Sequence, residues 1–186
     1  MKKLKFLIRK PAINMMVALS ALFVSICALI VSVQEIRIMR TQQRASMYSF
    51  LTIKRIYNSE GFGYVLKNSG NGLAQINTYQ VSYDGNHFQN WQDLVNSFMP
   101  EGEQVNYNSM RSNSISEQMI TDGESVDLFF IAWNNLTQNL LPELESIDIE
   151  ICYSSLLGES WVINNSQMRS SIKSECFINT EKQFIN

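Results

Sequence analysis

The sequence predicts a mainly β protein: an N-terminal transmembrane helix, then an antiparallel, immunoglobulin-like β-sandwich with one or two short helices. A small barrel is the alternative closure. Three observations predict this. Ala12 to Val33 carries no charge and is almost wholly apolar, and about 22 helical residues reach roughly 33 Å, enough to cross a hydrocarbon core of ~30 Å. From Tyr48 onward, short apolar runs alternate with clusters of Gly, Asn, Asp and Ser, the texture of strands and turns. Finally, the net charge of −2 conceals two unlike parts: Met47 to Asn186 holds seven basic and sixteen acidic residues, a formal charge of −9. The chain therefore divides into a basic flank (1–11), a span (12–33), a juxtamembrane helical linker (34–47) and a sandwich domain (48–186).

The flank carries Lys2, Lys3, Lys5, Arg9 and Lys10, and Pro11 suits a first helical position because it has no N–H to leave unpaired. Basic residues stay in the cytoplasm, so the N-terminus is expected inside and the domain on the outer side of the membrane. Arg37, Arg40 and Arg44 follow the span and weigh the other way. The apolar run exceeds that of a cleaved signal, and Ile26 before Cys27 matches a lipoprotein cleavage site poorly, so an uncleaved signal anchor is expected.

Within the span, Asn14, Ala18, Ala21, Ser25, Ala28 and Ser32 recur at alternating steps of four and three, which keeps them on one helix face. In a bilayer, helices associate through close approach at small residues and through hydrogen bonds from Ser or Asn. This face is therefore expected to pack against a second copy or another membrane protein, while lipid covers the rest. Past Val33 the helix formers continue, and Arg37, Arg40 and Arg44 stand on one side, placed to contact anionic headgroups of the bilayer.

In the domain, Ser49 to Tyr57 reads as a first strand, Asn58 to Gly61 as a turn, and Phe62 to Lys67 as the hairpin partner. Asn68 to Ala74 crosses between strands, and Ala74 to Tyr83 is a third strand, with Asp84-Gly85 turning toward His87 and Phe88. Trp91, Leu94, Val95 and Phe98 fall at helical spacing, with Asn90 as N-cap and Pro100 beyond the end. Strands are expected at Val105 to Met110 and near Ile115 to Ile120. Ser125 to Trp133 is the most apolar run, hence a central strand. Asn134 or Asn135 caps a short helix containing Leu136, Leu140 and Leu141, interrupted by Pro142. Ile147 to Tyr153, Trp161 to Ile163 and roughly Ile172 to Ile178 complete seven to nine strands.

The residues Arg40-Thr41-Gln42-Gln43-Arg44-Ala45-Ser46, the turn Lys67-Asn68-Ser69-Gly70-Asn71-Gly72-Leu73-Ala74, and Ile151-Cys152-Tyr153-Ser154-Ser155 followed by Gly158 and Trp161 carry a resemblance. With the basic start and single span, the chain resembles a group of uncharacterised bacterial single-span membrane-anchored proteins with a C-terminal β-sandwich domain. The similarity covers most of the chain but rests on turn and core residues, so it implies bacterial origin and no catalytic role for any position.

Residues able to do chemistry are few. His87 is the single histidine, beside a hairpin turn. Carboxylates recur two apart at Glu101 and Glu103, Asp122 and Glu124, Glu143 and Glu145, and Asp148 and Glu150; Asp122-Gly123-Glu124 is the best cation candidate among them. Cys152 and Cys176 are the sole possible pair within the domain, but strand parity sets Cys152 opposite the isoleucines and Cys176 in phase with Ile172 and Ile178, which argues against a disulfide. Trp91, Trp133 and Trp161 either line a groove or fill the core, and the core is the commoner fate. There is no phosphate loop, dinucleotide fingerprint or zinc spacing. An acidic surface repels phosphate backbones, so no nucleic-acid partner is expected. No cofactor is expected either. The leading expectation is a non-enzymatic interaction module; a membrane-tethered sensor of a small ligand or cation, signalling through the continuous helix, is the alternative.

Overall fold

The computed structural model describes residues 9–100, 103, 105–166, 171–173, 176 and 183–185. The chain divides into two units, Met1–Ala45 and Ser46–Asn186. The first is built on one helix, α1 (Arg9–Ser46, 38 residues), with helical backbone already present two residues before Pro11. No other proline and no glycine interrupts it, and each interior N–H meets a carbonyl four residues back, the requirement for backbone in lipid. It is long and apolar enough to cross a membrane. Arg44 in its last turn complements the negative end of the helix dipole.

The second unit is a sandwich of two antiparallel sheets. One has the order β1 (Leu51–Tyr57), β2 (Gly61–Asn68), β7 (Ser125–Ala132), β5 (Met110–Ser112). The other runs β10 (Ser171–Lys173), β9 (Ser160–Asn164), β8 (Asp148–Ser155), β3 (Ala74–Tyr83), β4 (Asn86–Phe88), with β6 (Met119–Ile120) also on β3. That is the immunoglobulin arrangement: the first, second, fifth and fourth strands in one sheet, the seventh, sixth and third in the other. β4 extends the second sheet on one side and β10 on the other. The sheets stay separate, so the domain is a sandwich rather than a closed barrel, with ten strands among the described residues.

Alternation positions the core. On β8, Ile149, Ile151 and Tyr153 are buried inward while Asp148 is exposed and Glu150 half-buried on the outer face. Tyr64 of β2 is fully buried, and its hydroxyl donates to the Leu144 carbonyl at 2.9 Å. Between the sheets, Trp91 of the short helix α2 (Trp91–Asn96) stacks on Phe129 of β7 with ring centroids 4.4 Å apart. The expected cap holds: the Asn90 side chain accepts from the Asp93 N–H at 2.8 Å. Phe184 closes this end of the core, its N–H donating to the Tyr79 carbonyl at 2.8 Å.

The crossing after β2 is organised by the buried Asn68. Its amide donates to the carbonyls of Gly72 and Ile120, and its side-chain oxygen accepts from the N–H groups of Gly70 and Phe50. Gly70 and Gly72 press against the backbone of Met47 to Phe50, where any Cβ would collide. This turn therefore cradles the segment that leads into β1.

Several expectations are corrected. Val105 to Met110 is not a strand; a 3₁₀ turn (Tyr107–Ser109) precedes the three-residue β5. Only Met119 and Ile120 of the expected Ile115 to Ile120 strand pair. Pro142 does not interrupt a helix but starts one: Thr137–Leu140 is a 3₁₀ turn, and α3 (Leu141–Glu145) begins with Pro142 in its first turn. The last strand is described only at Ser171–Lys173; Ile178 lies outside the described residues.

The main correction concerns the cysteines. Cys152 and Cys176 form a disulfide, with their Cα atoms 5.9 Å apart. The reading of Cys152 was sound, since it does lie on the outer face of β8. Parity failed at Cys176 because that residue is not in strand conformation and so need not follow Ile172. It sits instead over the outer face at a β-bulge, where the Asn77 amide approaches its sulfur at 3.4 Å.

Candidate functional site

The small-residue face lies on α1. At ~100° per residue, Asn14, Ala18, Ala21, Ser25, Ala28 and Ser32 fall within an arc of about 80°, and all six are exposed in the single chain. The Ser25 hydroxyl donates to the Ala21 carbonyl at 2.8 Å. That local bond satisfies its proton and leaves oxygen lone pairs able to accept from a neighbouring helix. Arg37, Arg40 and Arg44 are also exposed, centred about 110° around the helix from the small residues. A partner on the small face thus leaves the arginines clear of the contact.

In the domain, the residues that sequence singled out for chemistry do not converge. His87 is exposed on β4, and both domain thiols are consumed by the disulfide. The Glu124 carboxylate accepts from the N–H and the hydroxyl of Thr121 at 2.7 and 2.8 Å, which lowers its pKa. It closes a turn rather than facing a cation with Asp122. Glu145 pairs with Arg55 at 3.7 Å, and Glu101 lies outside the described residues. Among the described residues no group of three or more His, Cys, Asp or Glu side chains is arranged to hold a metal.

The tryptophans part company. Trp91 is buried, and Trp161 is buried against Tyr153 with centroids 5.5 Å apart. Trp133, by contrast, is half-buried at the end of β7 and walls an open cleft of about 580 Å³ with Tyr57, Asn58, Ser59, Gln138 and Leu141. The sequence reading offered Trp133 as one of three rings that either line a groove or fill the core, and did not single it out or name the other residues of this cleft. One signal was present: Trp133 ends the most apolar run and precedes Asn134-Asn135, which marks the edge of the core.

Local hydrogen bonds shape the cleft wall. The Asn58 side chain accepts from the N–H groups of Glu60 and Gly61, which shapes the β1–β2 turn. Asn134 accepts from the N–H groups of Leu136 and Thr137, shaping the opposite rim. Trp133 joins the two, its indole N–H donating to the Asn58 carbonyl at 2.9 Å and its backbone N–H to the Glu60 carbonyl at 3.0 Å.

No protein-family model matches this chain, and no curated protein and no solved structure matches it.

Proposed function

We propose that this chain is a membrane-anchored, non-enzymatic interaction module of the bacterial cytoplasmic membrane. Its N-terminus is cytoplasmic and its sandwich lies on the outer side. α1 pairs with a second copy, or with another membrane protein, through the face of Asn14, Ala18, Ala21, Ser25, Ala28 and Ser32. The observation that carries this reading is the confinement of those residues to one exposed arc of a helix that buries no described residue of its apolar stretch. Lipid is as apolar as leucine, so a strip of small residues gains most by letting a second backbone approach.

Two features support the orientation. Five basic residues precede the span against three that directly follow it. The Cys152–Cys176 disulfide suits an oxidising compartment such as the periplasm and not the cytosol. The sensor reading is favoured by one observation, the uninterrupted helix from the span to Ser46. Its test is a ligand-dependent rise in domain melting temperature, because a molecule that binds only the folded state stabilises that state.

The pairing is tested by measuring self-association of the full chain in membranes, alone and with Ala21→Leu and Ala28→Leu combined. Bulky side chains hold the backbones apart, so association falls to the level of a non-pairing control helix. Association that survives the double substitution refutes the assigned face.

A further inference from the structure

The cleft at Tyr57 and Trp133 has the makings of a ligand site. Its volume of about 580 Å³ lies within the range of about 300–1,000 Å³ usual for small-molecule sites. Its two rings meet as a corner, centroids 5.8 Å apart and planes at 64°, so a flat ligand can stack on one ring while its edge meets the other. Tyr57 is 66% exposed, so its ring is open to a ligand entering the cleft.

The polar groups narrow the ligand class. The lining residues bring the Asn58 amide N–H₂, the Ser59 hydroxyl, the Tyr57 hydroxyl and the Gln138 carboxamide, none of them engaged with another described group. Together they offer donors and acceptors in similar number. Among the described residues no charged side chain lines the cleft, and the domain is acidic overall. Such a surface accepts a molecule with apolar ring faces, many hydroxyls and no charge.

We propose that this cleft binds a neutral oligosaccharide, one pyranose ring stacking against Tyr57 or Trp133 while Asn58, Ser59 and Gln138 exchange hydrogen bonds with its hydroxyls. A proline-rich peptide is the other ligand that aromatic grooves commonly hold. The structure gives it less to hold, because the Trp133 indole N–H is already committed to Asn58 and is not free to donate to a peptide carbonyl. The site is separate from the small-residue helix face, and its test does not depend on how the helices pair.

The test uses the full chain in lipid nanodiscs, free of glycosidic detergent, which would occupy the site. Maltotriose, cellotriose and tri-N-acetylchitotriose are titrated by saturation-transfer NMR, with decaproline in parallel. At least one trisaccharide binds saturably, Tyr57→Ala weakens it by about tenfold or more, and Gln138→Ala weakens it less. Tyr57 is too exposed for its loss to unfold the domain, and a melting curve checks that. Absence of saturable binding by all three sugars overturns the proposal, as does binding unchanged by Tyr57→Ala, or decaproline binding in their place that Tyr57→Ala abolishes.

Discussion

The indole N–H of Trp133 donates to the backbone carbonyl of Asn58, 75 residues away, at 2.9 Å. This bond ties the residue after the central strand β7 to the first hairpin of the sandwich, and it orients the ring that walls the cleft. Because the bond is partly open to water, Trp133→Phe costs only about 0.5–1.5 kcal/mol. Trp133→Ala also removes packing and costs about 2–3 kcal/mol, below the figure for a fully buried tryptophan. Urea denaturation of the full chain in micelles, followed by circular dichroism, measures both.

Tyr64 sets the alkaline limit of stability. Burial pushes its hydroxyl up to about 12 from the ordinary value of 10.0, against a smaller opposing effect of the hydrogen bond with Asn165. Burial also raises Tyr79 well above that value. The folded state holds these protons more tightly than the unfolded state. The stabilisation is therefore complete below about pH 10 and is lost as pH rises through about 12, with Tyr64 accounting for about 3 kcal/mol at most. Tyr64→Phe leaves the Leu144 carbonyl without its partner and costs about 1–3 kcal/mol at neutral pH. It also flattens the decline between about pH 10 and 12, which a pH series of denaturation midpoints resolves.

The disulfide closes a loop of 24 residues' separation over the outer face of β8. Its loss, by Cys152→Ser with Cys176→Ser, destabilises the domain by about 3 kcal/mol. A reducing agent lowers the melting temperature of the native chain to that of the double variant and leaves the variant unmoved. Equal melting curves for the oxidised native chain and the variant contradict the assignment.

Gly63 lies opposite Phe130 in the β2–β7 ladder, and a Cβ there would meet the Phe129 carbonyl and the Phe130 backbone. Phe130 lies on the outer face, yet it is buried, because it covers glycine positions and is covered in turn by the Arg111 guanidinium 4.3 Å from its ring centroid. Gly63→Ala is expected to destabilise by about 1–3 kcal/mol or more. Gly158→Ala meets open space, so its cost is confined to the positive φ of 77°. Thermal melts of the two variants separate steric from conformational cost.

The legible parts of this chain were those governed by local periodicity. Ile149, Ile151 and Tyr153 announced their strand by alternation, Trp91, Leu94 and Val95 their helix by spacing, and the uncharged run from Ala12 its length. The parts that escaped depend on distant partners. β5 and β6 are three and two residues long, too short for any pattern, and exist because β7 and β3 offer free edges. Cys176 was misjudged because parity was carried past the end of a strand. Trp133 was grouped with core tryptophans because composition cannot show that a strand ends at the domain surface. Phe184 follows the last expected strand and seals the core through Tyr79 of β3, a contact between residues far apart in the chain that no local signal encodes.

The compartment of the sandwich bears on every part of this account, since it sets the partners, the redox state of Cys152 and Cys176, and the ligands within reach. Two reporters fused in turn after Asn186, one active only outside the cytoplasm and one active only inside, measure it directly. The account predicts activity from the outside reporter alone. Activity from the inside reporter alone contradicts it: Arg37, Arg40 and Arg44 would then have outweighed the N-terminal lysines, and the domain would face cytosolic partners with its cysteines reduced.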